Sequence, residues 1–309
     1  MAMNSGHLQE GKPVISVKPA TPPARRRGIV FAVLAITGLL IAGNQISSAH
    51  AATVRTAHAT AATGTSGPKP TIVLVHGAWA DSGSWNAVTA LLQAAGYTVD
   101  APPNPLRGLP QDSAYQHDFL TQNPALAGQS VVLVGHSYGG EVITNAATGD
   151  SQVKALVYDD AYLPAKGEDL KDLTTPGSCF YVQDLSNVFN FVPFPGAPSG
   201  VADAYVKPSV FPGCFANGLP ASEAAVLAAT QRPLASSTFT DQSGAPAWKT
   251  IPSWDVIGLN DNIVTPAEQL FMAKRARAHI TEINAPHLSM ISNPGVMASV
   301  IIQAAQATS

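Results

Sequence analysis

Short β-branched runs punctuate the chain at Thr71 to Val75, Thr98 to Ala101, Val131 to Val134, Ala155 to Tyr158, Trp254 to Ile257 and Ile280 to Ile283, alternating with helix-length segments. That alternation predicts an α/β fold: a mostly parallel central sheet of about six strands, flanked by helices. Two helix starts are legible. Thr265-Pro266-Ala267-Glu268 supplies an N-cap, a proline at the first helical position and a capping-box glutamate, and Asn293-Pro294 repeats the cap and the proline. Between Leu163 and Thr250 the alternation fails. Phe180, Tyr181, Phe189, Phe191, Phe194, Phe211 and Phe215 stand there among many prolines and glycines, with one helical segment around Ser222 to Ala229. The segment at about 164–250 therefore reads as a cap inserted over the sheet. Open α/β sheets bind ligands at the carboxyl ends of their strands, so this cap is a candidate pocket wall.

The region ahead of the first strand has a different character. Arg25-Arg26-Arg27 precede an uncharged apolar stretch from Gly28 to Gly43, followed by small and polar residues that end in Ala49-His50-Ala51. A basic start, a short apolar stretch and an A-x-A pattern make an export signal, with cleavage after Ala51 and an uncleaved N-terminal anchor as the competing reading. Residues 52–69, rich in Ala, Thr, Gly and Ser, read as a flexible leader. The domain organisation expected is thus an export signal at 1–51, a leader at 52–69, and one folded domain at 70–309 carrying the cap. The protein is expected to be secreted or extracytoplasmic and to meet a membrane only during export.

Composition narrows the function classes. With 46% of its 309 residues hydrophobic, the chain has the material for a substantial core. It carries 17 basic and 20 acidic residues, a formal net charge of −3. Glu10, Lys12, Lys18 and the three arginines all precede the expected cleavage point, so the mature part has a net charge of −7. An acidic mature protein argues against a nucleic-acid partner. No His, Cys and Asp cluster has metal-ligand spacing, and nothing calls for a cofactor. The two cysteines, Cys179 and Cys214, both lie in the cap, and an exported chain meets an oxidising compartment, so they are expected to form a disulfide.

Gly135-His136-Ser137-Tyr138-Gly139 follows an apolar strand and precedes a helical segment from Gly140 to about Thr148. This is the strand-turn-helix context that a G-x-S-x-G nucleophile requires, because the turn is too tight for side chains on its flanking positions. A serine hydroxyl needs a base to take its proton and a carboxylate to orient that base. His287, in Ala285-Pro286-His287-Leu288-Ser289, lies just beyond the final strand and is the expected base. Asp261, in Gly258-Leu259-Asn260-Asp261-Asn262, follows the penultimate strand and is the expected acid, with Asp159 and Asp160 as rivals at the end of the strand before it. The oxyanion of a tetrahedral intermediate needs backbone donors. Tyr138, directly after the nucleophile, supplies one, and Ala78, or alternatively Trp79, supplies the second.

Leu74-Val75-His76-Gly77-Ala78-Trp79, Val134 to Gly140, Asp261 ahead of Ile263-Val264-Thr265-Pro266, and His287-Leu288-Ser289-Met290 together resemble the α/β-hydrolase superfamily. Within it they resemble the branch that contains bacterial esterase-like hydrolases, plant methylesterases and hydroxynitrile lyases. The resemblance implies a triad of Ser137, His287 and Asp261 and an oxyanion hole from the amides of Ala78 and Tyr138. It departs from the family's eight-stranded core, since no pair of strands is read before Thr71, which implies a six-stranded version. The function expected is hydrolysis of small-molecule carboxylic esters, apolar or aromatic ones favoured. Two alternatives from other classes are a lyase of the hydroxynitrile-lyase type and a non-catalytic binding protein on the same fold. Leu288 and Gly77 stand where such lyases carry lysine and threonine, and a complete set of catalytic residues counts against the binding protein.

Overall fold

The computed structural model describes residues 68–309, so the expected export signal and all but the end of the leader lie outside the described residues. Five strands come directly from the apolar runs: β1 (Thr71–Val75), β3 (Val131–His136), β4 (Val153–Asp159), β8 (Ser253–Gly258) and β9 (His279–Ile283), and a two-residue β2 (Val99–Asp100) completes the main sheet. Their order is β2-β1-β3-β4-β8-β9, and every neighbouring pair is parallel. Every residue of β1, β3 and β8 is buried, as expected of parallel strands covered on both faces. The edge strand β9 instead reads His-Ile-Thr-Glu-Ile and is partly exposed throughout.

Helices α1 (Asn86–Ala94) and α2 (Leu109–Gln122) flank β2 in sequence, α3 (Tyr138–Ala146) leads from β3 to β4, and α5 (Pro266–Ala276) leads from β8 to β9. The short α6 (Ser289–Ser292) and the terminal α7 (Pro294–Ala307) close the chain. α5 starts as its sequence dictates: Thr265 caps it by accepting from the Glu268 amide, and Pro266 occupies the first turn. Helix α1 packs on α7, and α2 on α3. From β1 the chain moves to β2 on one side and then returns to β3 on the other. That reversal opens a crevice at the carboxyl ends of β1 and β3, where sheets of this kind place their ligands.

The inserted segment is more ordered than its sequence predicted. Besides α4 (Ala221–Thr230), it holds a separate antiparallel sheet of β5 (Phe189–Val192), β6 (Asp203–Val206) and β7 (Leu234–Ala235). These strands are two to four residues long and are bounded by prolines and glycines, too short to leave a readable period. Cys179 and Cys214 are joined, with Cα atoms 6.0 Å apart. The residues beside them, Phe180 and Phe215, are buried with Phe211 and Phe189 in a continuous core.

A bridge closing 35 positions of chain restricts the unfolded state by roughly 4 kcal/mol on the chain-entropy estimate. Replacing both cysteines with serine is therefore expected to lower unfolding free energy in urea by up to about that amount, while the far-UV circular dichroism of the main sheet and its helices stays unchanged. Loss of the folded spectrum itself would mean that the bridge holds more than the cap.

Candidate active site

The turn between β3 and α3 sets the geometry. Ser137 adopts φ 53° and ψ −125°, a left-handed conformation that costs an ordinary L-residue of order 1–3 kcal/mol. The surroundings hold it there. Its amide donates to the Asp159 carbonyl at 3.1 Å, and its carbonyl accepts from Gly140 at 2.9 Å and from Tyr162 at 3.2 Å. A Cβ at Gly135 would sit 2.5 Å from the Gly139 carbonyl oxygen, and one at Gly139 would sit 2.5 Å from that of Val75. Both positions therefore admit only glycine.

His287 reaches this turn from the loop after β9, and Asp261 from the loop after β8. The His287 Nδ1–H donates to Asp261 Oδ2 at 2.8 Å, and the Ser137 hydroxyl donates to His287 Nε2 at 3.0 Å. All three side chains are buried. The Asp261 carboxylate is well supplied with donors, since Oδ1 accepts from the amides of Ile263 (2.6 Å) and Val264 (3.1 Å), and Oδ2 also accepts from the Gln269 side-chain amide at 2.8 Å. His136 Nε2–H donates to the His287 carbonyl at 2.9 Å, and burial holds His136 well below the usual imidazole range, so it is a neutral strut. Phe215 from the cap meets the His287 ring edge-on at 5.3 Å.

The rival carboxylates do different work. Asp160 accepts from the Gly258 amide at 2.7 Å and the Ser289 amide at 3.2 Å, tying the end of β8 to the loop that carries His287. Asp159 accepts from the Ser289 hydroxyl at 2.5 Å. Burial is the main cause raising both, with nearby Asp261 adding repulsion; Asp159 is pushed up to about 7, and Asp160 lies well above the carboxylate range.

The loop after β1 forms the facing wall. The amides of Ala78 and Trp79 in that loop, and of Tyr138 at the start of α3, donate to no acceptor among the described residues. These residues and Ser137 line one cavity of about 500 Å³, walled by Tyr162, Phe180, Phe189, Phe239 and Ile263, with Lys171 its single charged lining residue. Sequence reasoning did not find the groups that brace this wall. The Tyr138 hydroxyl donates to Asp112 at 2.7 Å, His76 Nε2 accepts from the Asn104 amide at 3.0 Å, and the Trp79 indole N–H donates to the Ala204 carbonyl at 2.8 Å. These partners lie 26 to 125 positions away, where no local pattern reports them. Among the described residues no group of three His, Cys, Asp or Glu side chains is arranged to hold a metal ion.

A doubly flanked parallel sheet with a serine presented on a strained turn at the switch point defines an α/β-hydrolase architecture, and the sequence matches the alpha/beta hydrolase family over residues 72–300. The chain belongs to that family. It is related to plant methylesterases: it is 25% identical over 262 residues to Methylesterase 17 of Arabidopsis thaliana, a match covering 76% of this chain and 91% of that protein. A stretch of 112 residues is 34% identical to a carbendazim hydrolyzing esterase of Nocardioides sp. (strain SG-4G), covering 33% of this chain and 46% of that relative, less than half its length. Two solved structures share the fold with a TM-score of 0.62, each covering 76% of this chain and 98% of its own. One is an extracellular α/β-hydrolase from a Paenibacillus species, 20% identical, and the other a methylesterase from Arabidopsis, 19% identical.

The buried carboxyls make stability pH-dependent. Because the fold raises Asp159 from 3.8 to about 7, its contribution is fully present below pH 3.8 and is lost as pH rises through about 7. Asp159→Asn keeps an acceptor for Ser289 and removes the titration, with Asp160 and Asp261 left in place. The melting temperature of the variant should therefore gain on that of the wild type steadily between pH 4 and pH 8. A constant offset across that range would assign the dependence to other groups.

Proposed function

We propose that the protein is a serine hydrolase of carboxylic esters, working through a Ser137-His287-Asp261 triad. The observation that carries this reading is the buried hydrogen-bond chain from Ser137 Oγ through His287 to Asp261, opening onto an apolar cavity. His287 takes the Ser137 proton as Oγ attacks the ester carbonyl, and Asp261 stabilises the imidazolium that forms. The carbonyl oxygen becomes an oxyanion and accepts from the amides of Tyr138 and of Ala78 or Trp79, whose donors are otherwise unused. Each such donor contributes on the order of 10² to 10³ in rate. His287 then protonates the departing alkoxide, leaving an acyl enzyme. In the second half, His287 removes a proton from water, hydroxide attacks the acyl carbonyl, and the carboxylic acid leaves as Ser137 regains its proton. No step requires a metal or an organic cofactor.

The substrates are small esters with apolar or aromatic bodies. A cavity of about 500 Å³ suits a drug-sized molecule, and its aromatic walls offer stacking and edge contacts while supplying one cation and no carboxylate. The names of the relatives, an esterase and a methylesterase, support ester chemistry. Leu288 and Gly77 count against a lyase. Residues 1–51 act as an export signal cleaved after Ala51, and the Cys179–Cys214 bridge suits the oxidising compartment that export reaches.

A fluorophosphonate probe should label the protein stoichiometrically at Ser137, and Ser137→Ala should abolish both labelling and hydrolysis of nitrophenyl esters with the fold intact. Labelling at another serine would remove the assignment. Asp261→Asn should lower turnover by roughly 10⁴-fold, as loss of the orienting carboxylate does in serine proteases, with little change in melting temperature. Asp160→Asn, which keeps an acceptor for one of the Gly258 and Ser289 amides and loses it for the other, should cost far less turnover. The reverse ranking would move the acid to β4.

A further inference from the structure

Two consecutive residues of the cap strand β6 reach the two walls of the oxyanion site. On one side, the Ala204 carbonyl accepts the Trp79 indole N–H at 2.8 Å. Trp79 is next to Ala78, has φ 55°, and owes that conformation to no glycine. Its ring is held on three sides by groups from the cap: stacked on Phe189 at 5.2 Å, and edge-on to Phe180 at 5.1 Å and Phe215 at 5.8 Å. On the other side, the Asp203 carboxylate pairs with the Arg107 guanidinium at 2.5 Å. The Arg107 amide donates to Asp112 at 2.9 Å, and Asp112 accepts the Tyr138 hydroxyl at 2.7 Å. Tyr138 carries the first oxyanion donor on its own amide.

We propose that β6 sets the spacing of the oxyanion donors, with Trp79 and Asp112 as positioning residues that act through the Ala78/Trp79 loop and through Tyr138. This goes beyond the assignment of the donors and rests on the reading of Ser137 as the nucleophile. The physical ground is that an oxyanion hole works only when its donors are already aimed at the charge that forms. A loop held at a positive φ does not keep that aim unaided, and the indole N–H is the single polar tie between this loop's side chains and the cap strand. The cap therefore takes part in stabilising the transition state as well as in holding the substrate.

Trp79→Phe retains an aromatic ring and removes the N–H together with part of the indole's buried bulk, so Tyr138→Phe is the cleaner of the two variants. Tyr138→Phe retains the ring of Tyr138 and removes only the bond to Asp112. Each variant is measured for kcat and KM on a neutral nitrophenyl ester, normalised to active sites titrated with a fluorophosphonate so that misfolded protein does not count. Each is also measured for inhibition by an aryl trifluoromethyl ketone, to which Ser137 Oγ adds to give a tetrahedral alkoxide while His287 holds the proton, and by the product acid. The expected result for both is a fall in kcat of about ten-fold with KM within two-fold, and a matching loss of affinity for the ketone but not for the acid. If Trp79→Phe does not fold, Tyr138→Phe carries the test by itself. The proposal is overturned if KM rises with kcat unchanged, or if affinities for ketone and acid fall together, since either result makes these residues part of the substrate pocket only. A wild-type protein that neither hydrolyses the ester nor is inhibited by the ketone would instead refute the esterase reading.

Discussion

The close crossing of β3 and α3 against the end of β1 is the constraint on which the rest of this site depends. A methyl group at Gly139 would sit 2.5 Å from the Val75 carbonyl oxygen, so the helix lies as near the neighbouring strand as backbone atoms permit. Only that approach lets the chain reverse within one residue and leave Ser137 at φ 53°, pointing out of the sheet's carboxyl edge. The same reversal exposes the first amides of α3 toward the crevice between β1 and β3, where the strand order turns round. Ser137, the helix N-terminus and the switch point coincide because one steric condition produces all three.

Charge is then distributed by hydrogen bonding rather than by position. Asp159, Asp160 and Asp261 are all buried near one another, and repulsion from Asp261 adds to the burial that raises Asp159 and Asp160. Asp261 accepts from two backbone amides, the Gln269 amide and the His287 imidazole. Asp159 has one hydroxyl donor and an oxygen left without a partner, and the burial of both β4 carboxyls raises them toward the protonated form. Four donors thus converge on the carboxyl beside His287, while burial raises the two carboxyls behind it.

What the sequence revealed follows the range of the forces concerned. The main strands are legible because full burial between two helical layers demands unbroken apolar runs, and the serine turn because its glycines and serine form one short motif, although the contact that excludes a side chain at Gly139 comes from Val75 on β1. Asp261 and His287 could be placed from their position after the last two strands, a consequence of parallel topology rather than of any local signal. The cap sheet was missed, since strands as short as Leu234–Ala235 take their conformation from partners across the insertion and leave no period of their own. Asp112 and Trp79 were legible as residues but not as braces. Asp112 carries no motif, Trp79 reads as the alternative second oxyanion donor, and the partners of both come from other parts of the fold.

The disulfide links these observations. Cys179 and Cys214 each precede a phenylalanine, and both Phe180 and Phe215 pack edge-on against Trp79, while Phe215 also meets His287. One covalent bond in the cap therefore anchors side chains that pack against the loop after β1 and against His287. Of these two rings, Phe180 also walls the cavity. Two requirements meet on one set of atoms, because a substitution that reshapes the wall for a larger substrate also shifts the support of Trp79. Binding and rate are for that reason not separable by changes at Phe180. Lys171, Thr174 and Thr240 line the same cavity and are not among the rings stacked around Trp79 and His287, so a change of shape there does not alter that ring cluster directly.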